Sequence, residues 1–453
     1  MKKILLMLFI FISFQQSFSQ WGNQLNPYQG AVAGGVGLTW IDGQPFYAIR
    51  FRPEIAFANF GVGLDLNLEF DANGNLRKEN FNELSDYLSI IRYVRYGQKH
   101  DDVYARLGAL DYATLGHGSI MYMYNNSPSF DTRKIGLEFD LDFNKFGFES
   151  VYGNFGQAGI AGLRGYVRPL KWGEGTSIPI ISNFEIGATF AADFNKYAGV
   201  IGGNYDKQQN KFNITNDKGT LKIVGFDFGL PIGISSIITL TPYFDYAKII
   251  DFGSGTSAGV MLDLNGLGLL TARARLERRW NGEHYLPSYF NSLYEIQRFA
   301  LDTTTGAFTS KVEGLDVMAS VGNGFYGELL IRILNTFDIL GGYQRLDKDP
   351  HSGILHLVAD ISPENASFVA RAGYDKSYIQ DEKDLFTLDD RSYLFTEVGY
   401  KPYPFMLVSI VYEWTFAPIR DADNKVIDFK PQKRIEPRIS FIYPFDFGPQ
   451  QGE

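Results

Sequence analysis

Arg273, Arg275, Glu277 and Arg279 stand two residues apart, so on an extended strand they share one face, opposite Ala272, Ala274 and Leu276. An uncompensated row of guanidiniums would attract anions, as rings of charged side chains do in pores. Unpaired charge in a confined space is costly, so the simpler expectation is a set of ion pairs with carboxylates such as Glu54, Asp65, Glu69, Glu397 and Glu413. A second cluster is segment 106–119, where Gly116 and Gly118 flank His117. One reading is a glycine-rich bend between strands at 103–110 and 120–124, because glycine routinely punctuates strands. The other is a segment folded inward to narrow a lumen, with the constriction lined by Asp111, Tyr112 and His117.

Other motifs lack their context. Gly255, Ser257 and Gly259 have the spacing of a nucleophile elbow, whose serine must stand on a sharp turn from strand into helix. Val260, Leu262 and Leu264 instead continue a strand alternation, and no enzymatic activity is expected. Asp421, Asp423, Asn424 and Asp428 form an acidic loop, but Lys425 at the fifth position and no glycine at the sixth break the EF-hand pattern. His100, His117, His284, His351 and His356 show no metal-binding spacing, and His351 and His356 are expected at a strand mouth. The chain has no cysteine, hence no thiolate site or disulfide, and no cofactor or metal is implied.

The elements that position these residues read as strands. Val62, Leu64, Leu66, Leu68 and Phe70 alternate with Gly63, Asp65, Asn67 and Glu69, giving one apolar and one wet face. Similar alternation recurs at 49–57, 137–143, 270–279 and 406–416. Repeated through a long chain with no long apolar helix, it predicts an all-β protein: a closed antiparallel transmembrane β-barrel with short periplasmic turns and long extracellular loops. At about 9–11 residues per strand, about 14 to 16 strands fit. Arg50, Arg52, Glu54, Asp65, Glu69, Arg273, Arg275, Arg279 and Glu413 then fall on the wet, lumen-lining face. Long loops are expected at 71–86, 193–219, 280–310, 375–390 and 417–433, with short helices at 83–88 and 285–301. A short turn at Asn323 and Gly324 would leave 280–310 at the wrong end, unless a strand is miscounted or that segment folds into the lumen.

Lys2 and Lys3 precede an apolar run at 4–14 broken only by Ser13, then Ser17, Phe18 and Ser19, which reads as a secretory signal cleaved before Gln20. The expected organisation is a signal peptide at 1–19 and one barrel domain at 20–453. A net charge of -9 offers no basic footprint for nucleic acid. Mean hydropathy is only -0.13, as expected where polar lumen faces and loops offset a lipid-facing band. Trp40, Trp172, Trp280 and Trp414 fall near strand ends, where aromatic girdles belong.

Segment 434–447 places Ile435, Ile439, Phe441, Tyr443, Phe445 and Phe447 on one face and Arg434, Glu436, Arg438 and Ser440 on the other. It resembles the aromatic terminal strand by which outer-membrane barrels are read by their insertion machinery, although the tail 448–453 departs from that pattern. With the signal ending at Ser19 and Gln20 and 27 tyrosines, the chain resembles porin-type outer-membrane barrels of the Bacteroidota. That resemblance implies residence in the outer membrane of a Gram-negative cell, with outer-membrane lipid and the insertion machinery as partners. It also implies a passive channel for small hydrophilic solutes. The alternative is a non-conducting structural subunit that docks other outer-membrane proteins or lipoproteins in an assembly or secretion complex.

Overall fold

The computed structural model describes residues 30–57, 59–81, 84–88, 90–173, 181–265, 270–318, 320–333, 336–361 and 367–445; the expected signal at 1–19 and the tail 446–453 lie outside them. The chain opens with β1 (Gly30–Ile41), β2 (Gln44–Phe51), β3 (Glu54–Phe57), β4 (Phe60–Leu64) and β5 (Leu66–Phe70), then α1 (Leu84–Leu88). Five short strands follow: β6 (Ile91–Tyr96), β7 (Val103–Gly108), β8 (Gly136–Asp142), β9 (Phe146–Tyr152) and β10 (Ile160–Val167). Next come β11 (Glu185–Asp193), the separate hairpin β12 (Val200–Asp206) and β13 (Lys211–Asp217), β14 (Leu221–Gly229), β15 (Ile232–Gly233), β16 (Ile238–Ile249), β17 (Ser254–Leu264) and β18 (Leu270–Asn281). An excursion holds α2 (Tyr294–Gln297), β19 (Phe299–Leu301), β20 (Phe308–Ser310) and α3 (Lys311–Val317). The chain finishes with β21 (Asn323–Ile333), β22 (Phe337–Leu346), β23 (Gly353–Ile361), β24 (Phe368–Ile379), β25 (Ser392–Tyr403), β26 (Met406–Arg420) and β27 (Val426–Phe445).

Of these, 23 segments belong to one sheet. Counting β2 with β3, β4 with β5 and β14 with β15 as single interrupted strands leaves 20, all paired antiparallel with their neighbours. The expectation of 14 to 16 is therefore too low. It assumed full-length strands, whereas β6 and β7 have only 6 residues each. β1 pairs with β2 on one side and with β27 on the other, from Gly30 opposite Phe445 to Ile41 opposite Arg434.

The burial pattern is inverted relative to a water-soluble sheet. Along β18, Leu276 is 65% exposed while Arg275 and Glu277 beside it are 5% and 1% exposed. β2 repeats this, with Tyr47, Ile49 and Phe51 exposed and Arg50 buried. Exposing a large apolar side chain forfeits about 1.5–3 kcal/mol in water, so a whole face of them needs a non-aqueous neighbour.

Several expected boundaries move. Asn323 and Gly324 are not a turn: they open β21, opposite Trp280 and Arg279 of β18. This puts 282–322 at the end of the sheet opposite Gly30 and Phe445, together with the other longest excursions, 71–90, 109–135 and 194–220. The expected loop at 417–433 is mostly strand, since β26 and β27 stay in register from Met406 opposite Phe441 to Arg420 opposite Val426. The expected strand at 120–124 is absent from the main sheet. That stretch makes only isolated bridges, such as Met121 to Phe290.

Candidate functional site

The buried face of the sheet is a lattice of paired charges. Arg50 donates to Glu69 at 2.7 Å and to Glu436 at 2.5 and 3.2 Å, while Glu69 also takes Arg77 at 3.4 Å and Arg434. Glu413 lies 3.5 Å from Arg434. Asp65 sits between Arg52 at 2.8 Å and Arg133 at 2.7 Å, and Glu54 accepts the Tyr93 hydroxyl. Glu397 takes Arg371 at 2.9 Å and Arg438 at 2.7 Å. The arginine row on β18 is neutralised locally: Arg275 pairs with Glu277 at 2.5 Å, Arg279 pairs with the same Glu277, and half-exposed Arg273 pairs with Asp263 at 2.5 Å. Ion pairing thus prevails over an open anion strip, with Glu277 and Asp263 as the partners for this row.

Segments 109–135 and 282–322 both fold onto that face. They meet in a short parallel ladder: Ser288 N donates to Ser119 O at 2.8 Å, Phe290 N to Ile120 O at 3.1 Å and Tyr122 N to Phe290 O at 3.0 Å. Leu110, Leu115, Met121, Tyr124, Tyr289, Phe290, Tyr294, Val312 and Leu315 pack there with Val151, Ile160, Ile223 and Ile249 of the main sheet as one apolar cluster. The expected constriction residues all lie in or beside it. Asp111 is clamped by Arg92 at 2.7 Å and Arg106 at 2.9 Å, and Tyr112 meets His356 edge-on at 5.4 Å. His117 Nδ1 lies 2.8 Å from Asp245 with its ring stacked on Tyr243 at 4.4 Å, and Arg275 reaches the His117 carbonyl. Gly118 has φ +90°, and a Cβ there would stand 2.4 Å from the Tyr122 ring, so the bend needs glycine. The simple strand-to-strand bend is therefore replaced by the inward-folded segment.

Four charges that carry this packing escape sequence reasoning because they sit in long connections. Glu295 accepts from Arg298 at 2.7 and 2.8 Å, from Lys134 and from the Tyr124 hydroxyl at 2.5 Å. Burial opposes ionisation of Glu295, but Arg298 and Lys134 outweigh it and hold the carboxyl at about 2. The only sequence signal is the three-residue spacing of Glu295 and Arg298, which suits one helical turn. Lys311 starts α3, whose cap Ser310 accepts from Glu313 N at 3.0 Å. Its Nζ donates to the Tyr289 carbonyl at 2.7 Å and faces the rings of Tyr289 and Tyr294 at 4.8 and 5.2 Å.

Burial lowers the Lys311 ammonium from 10.5 to about 7. The unfolded chain then binds the extra proton between those values, so stability is expected to rise with pH across that window and stay flat below it. Thermal unfolding of the wild type and Lys311→Met from pH 6 to 10 checks this, with the rise smaller in the variant.

His117, Asp227 and Asp245 bring ligand atoms within 4.8 Å of one another, a cluster that linear spacing hides. Arg164 already forks onto Asp227 at 2.5 and 2.9 Å and also pairs with Glu149 and Glu185, so the cluster belongs to the ion-pair lattice. Ser257 lies inside β17 opposite Arg279, not on a strand-to-helix turn. Asp421 closes a tight turn by accepting from Asp423 N and Lys425 N at 3.0 and 2.8 Å, while Asp428 belongs to β27. His351 is exposed in a turn, but His356 is buried on β23 with Asp375 at 2.6 Å.

No family model and no curated protein matches the chain. Similar solved structures are outer-membrane porins and β-barrels. OccK11 (OpdR) of Pseudomonas aeruginosa aligns over 96% of this chain and 100% of its own at 10% identity and a TM-score of 0.31. Wzi of Escherichia coli, an outer-membrane carbohydrate-binding β-barrel involved in group 1 capsule assembly, aligns over 95% and 90% at 12% identity and a TM-score of 0.34. A Rhodopseudomonas blastica porin triple mutant aligns over 91% and 99% at 9% identity and a TM-score of 0.27.

Proposed function

We propose that the chain is an integral outer-membrane β-barrel whose interior is held shut by 109–135 and 282–322, so that passage of small hydrophilic solutes requires displacement of these segments. Pairing of β1 with β27 supports closure of the sheet, and exposed apolar side chains opposite buried ion pairs support lipid outside and a polar lumen within. The observation that carries the function is the shared apolar cluster of the two inward segments and the sheet. An open diffusion pore has no reason to bury Met121, Tyr124, Phe290 and Tyr294 across its interior. Outer-membrane lipid and, during biogenesis, the insertion machinery are the partners this reading requires.

In planar bilayers the wild type is expected to give rare, small openings. Replacing 286–316 by a short Gly/Ser linker is expected to give steady current; persistent silence of that variant, inserted and heat-modifiable, refutes the gated channel. A second reading, a structural subunit that docks partners, draws on the ordered loop-end cap in which Tyr197, Val200, Phe212, Phe299, Leu301 and Ile427 pack together. Co-purification from native membranes tests it.

A further inference from the structure

The connection 380–391, between β24 and β25, folds back over the outside of the sheet. On β24, Asp375 faces the inward segments, where it meets His356 at 2.6 Å and Ser292 at 2.9 Å. Tyr374 and Lys376 on either side of it therefore belong to the opposite, apolar face, yet Tyr374 is buried and Lys376 is 0% exposed. What covers them is the connection itself. Lys376 Nζ lies 3.2 Å from Asp384 and 3.0 Å from Asp389, and Arg391 ties the same two carboxylates together. Leu385 and Leu388 join Leu355, Leu357, Tyr374 and Leu394 in one apolar cluster, so the connection lies across β23, β24 and β25.

Its height follows from β24, whose first residue, Phe368, is an exposed aromatic on the same face as Tyr374. At about 3.3 Å per residue and a tilt of about 45°, Tyr374 stands about 14 Å above Phe368, well within an apolar band about 25 Å tall. Irregular chain at such a depth needs its backbone groups met without water. Side chains of the sheet meet its carbonyls: the Tyr374 hydroxyl donates to Leu385 O at 2.8 Å, Lys376 Nζ to Thr387 O at 2.7 Å and Trp414 Nε1 to Asp389 O at 2.8 Å. Arg345 donates to Ile379 O and Gln380 O, both at 2.9 Å. Amides are met inside the connection, with Gln380 N donating to Asp384 at 3.2 Å and Asp389 N to Ser392 Oγ at 2.8 Å. Phe386 is turned out from this network: it is 68% exposed, with its ring 5.8 Å from that of Tyr374. A loop fixed by ion pairs that holds out an aromatic ring beside an apolar face calls for an apolar neighbour.

We infer that 380–391 is a lipid-contact element: Leu385, Phe386 and Leu388 sit among the acyl chains of the outer leaflet, while the exposed Asp381, Glu382 and Lys383 stay with headgroups and water. This rests on the outer-membrane reading. The chain has no cysteine, so a single substitution gives a unique labelling site. Phe386→Cys, Glu382→Cys and Leu276→Cys, the last on the exposed face of β18, are each labelled with a nitroxide in the full chain in palmitoyloleoyl phosphatidylcholine vesicles. Collision with oxygen, which concentrates in lipid, is compared with collision with water-borne nickel ethylenediaminediacetate. The oxygen-to-nickel ratio is expected to be several-fold higher at 386 than at 382, and to match 276. A ratio at 386 as low as at 382, with 276 still in lipid, overturns the proposal and leaves the membrane reading intact. Dipolar broadening at 386 that dilution with unlabelled chain removes also overturns it, because a second copy then covers the ring. A low ratio at all three positions marks failure of the membrane reading itself.

Discussion

Glu69→Ala is expected to destabilise the protein by about 3–5 kcal/mol, the scale of breaking a buried ion pair while leaving its partners charged. Glu69 is 0% exposed and faces Arg50, Arg77 and Arg434 together. Removing it leaves Glu436 for Arg50, Asp131 and the exposed Glu79 for Arg77, and the more distant Glu413 for Arg434. Glu69→Gln keeps two polar atoms in place and is expected to cost less, because some hydrogen bonds survive the loss of charge. Guanidinium unfolding in detergent, followed by tryptophan fluorescence, measures both. A midpoint for Glu69→Ala within error of the wild type would mean that water compensates these arginines and that the lattice is not a closed one.

Phe290→Ala is expected to have the second large effect. Its ring is fully buried, with Tyr289 at 5.4 Å and Tyr294 at 4.8 Å, both edge-on, and its backbone joins the ladder to Ile120 and Tyr122. Truncating a buried phenylalanine costs about 3–5 kcal/mol. The strands of the main sheet do not depend on Phe290 for their hydrogen bonds, so the loss falls on docking of the inward segments. The expected outcome is a variant whose sheet unfolds at the wild-type midpoint, whose 282–322 segment is cut early by protease, and which conducts more often in a bilayer.

The strands were legible because a period of two shows directly which side chains share a face. At β2, β5, β8 and β18 the alternation in the sequence and in the structure agree, and in β26 they agree as far as Val411, beyond which Thr415, Phe416 and Ala417 are all buried. Arg50, Asp65, Glu69, Arg275 and Arg279 are accordingly found on the buried face. Strand number was not legible, because 6-residue strands such as β6 and β7 carry too few alternations to stand apart from loop sequence. Asn323 and Gly324 have turn composition, yet their pairing partners 279 and 280 lie across a 41-residue connection, and local sequence does not report such a contact. The same distance hides Glu295, Arg298 and Lys134, whose meeting depends on two long excursions converging. Glycine signalled something at 116–118, and what it marked was a bend of a segment packed against its neighbour.

The seam between β1 and β27 has a consequence for how the protein comes to exist. Among the described residues Gly30 pairs only with Phe445, so every intermediate lacking β27 carries two raw sheet edges, each offering a row of unsatisfied amides and carbonyls to any neighbour. Contacts this remote in the chain also form slowly, since the entropy of bringing the ends together must be met before the seam returns any stabilisation. A nascent chain therefore has to be shielded until β27 is available, and truncation of β27 should yield aggregates instead of a smaller paired sheet.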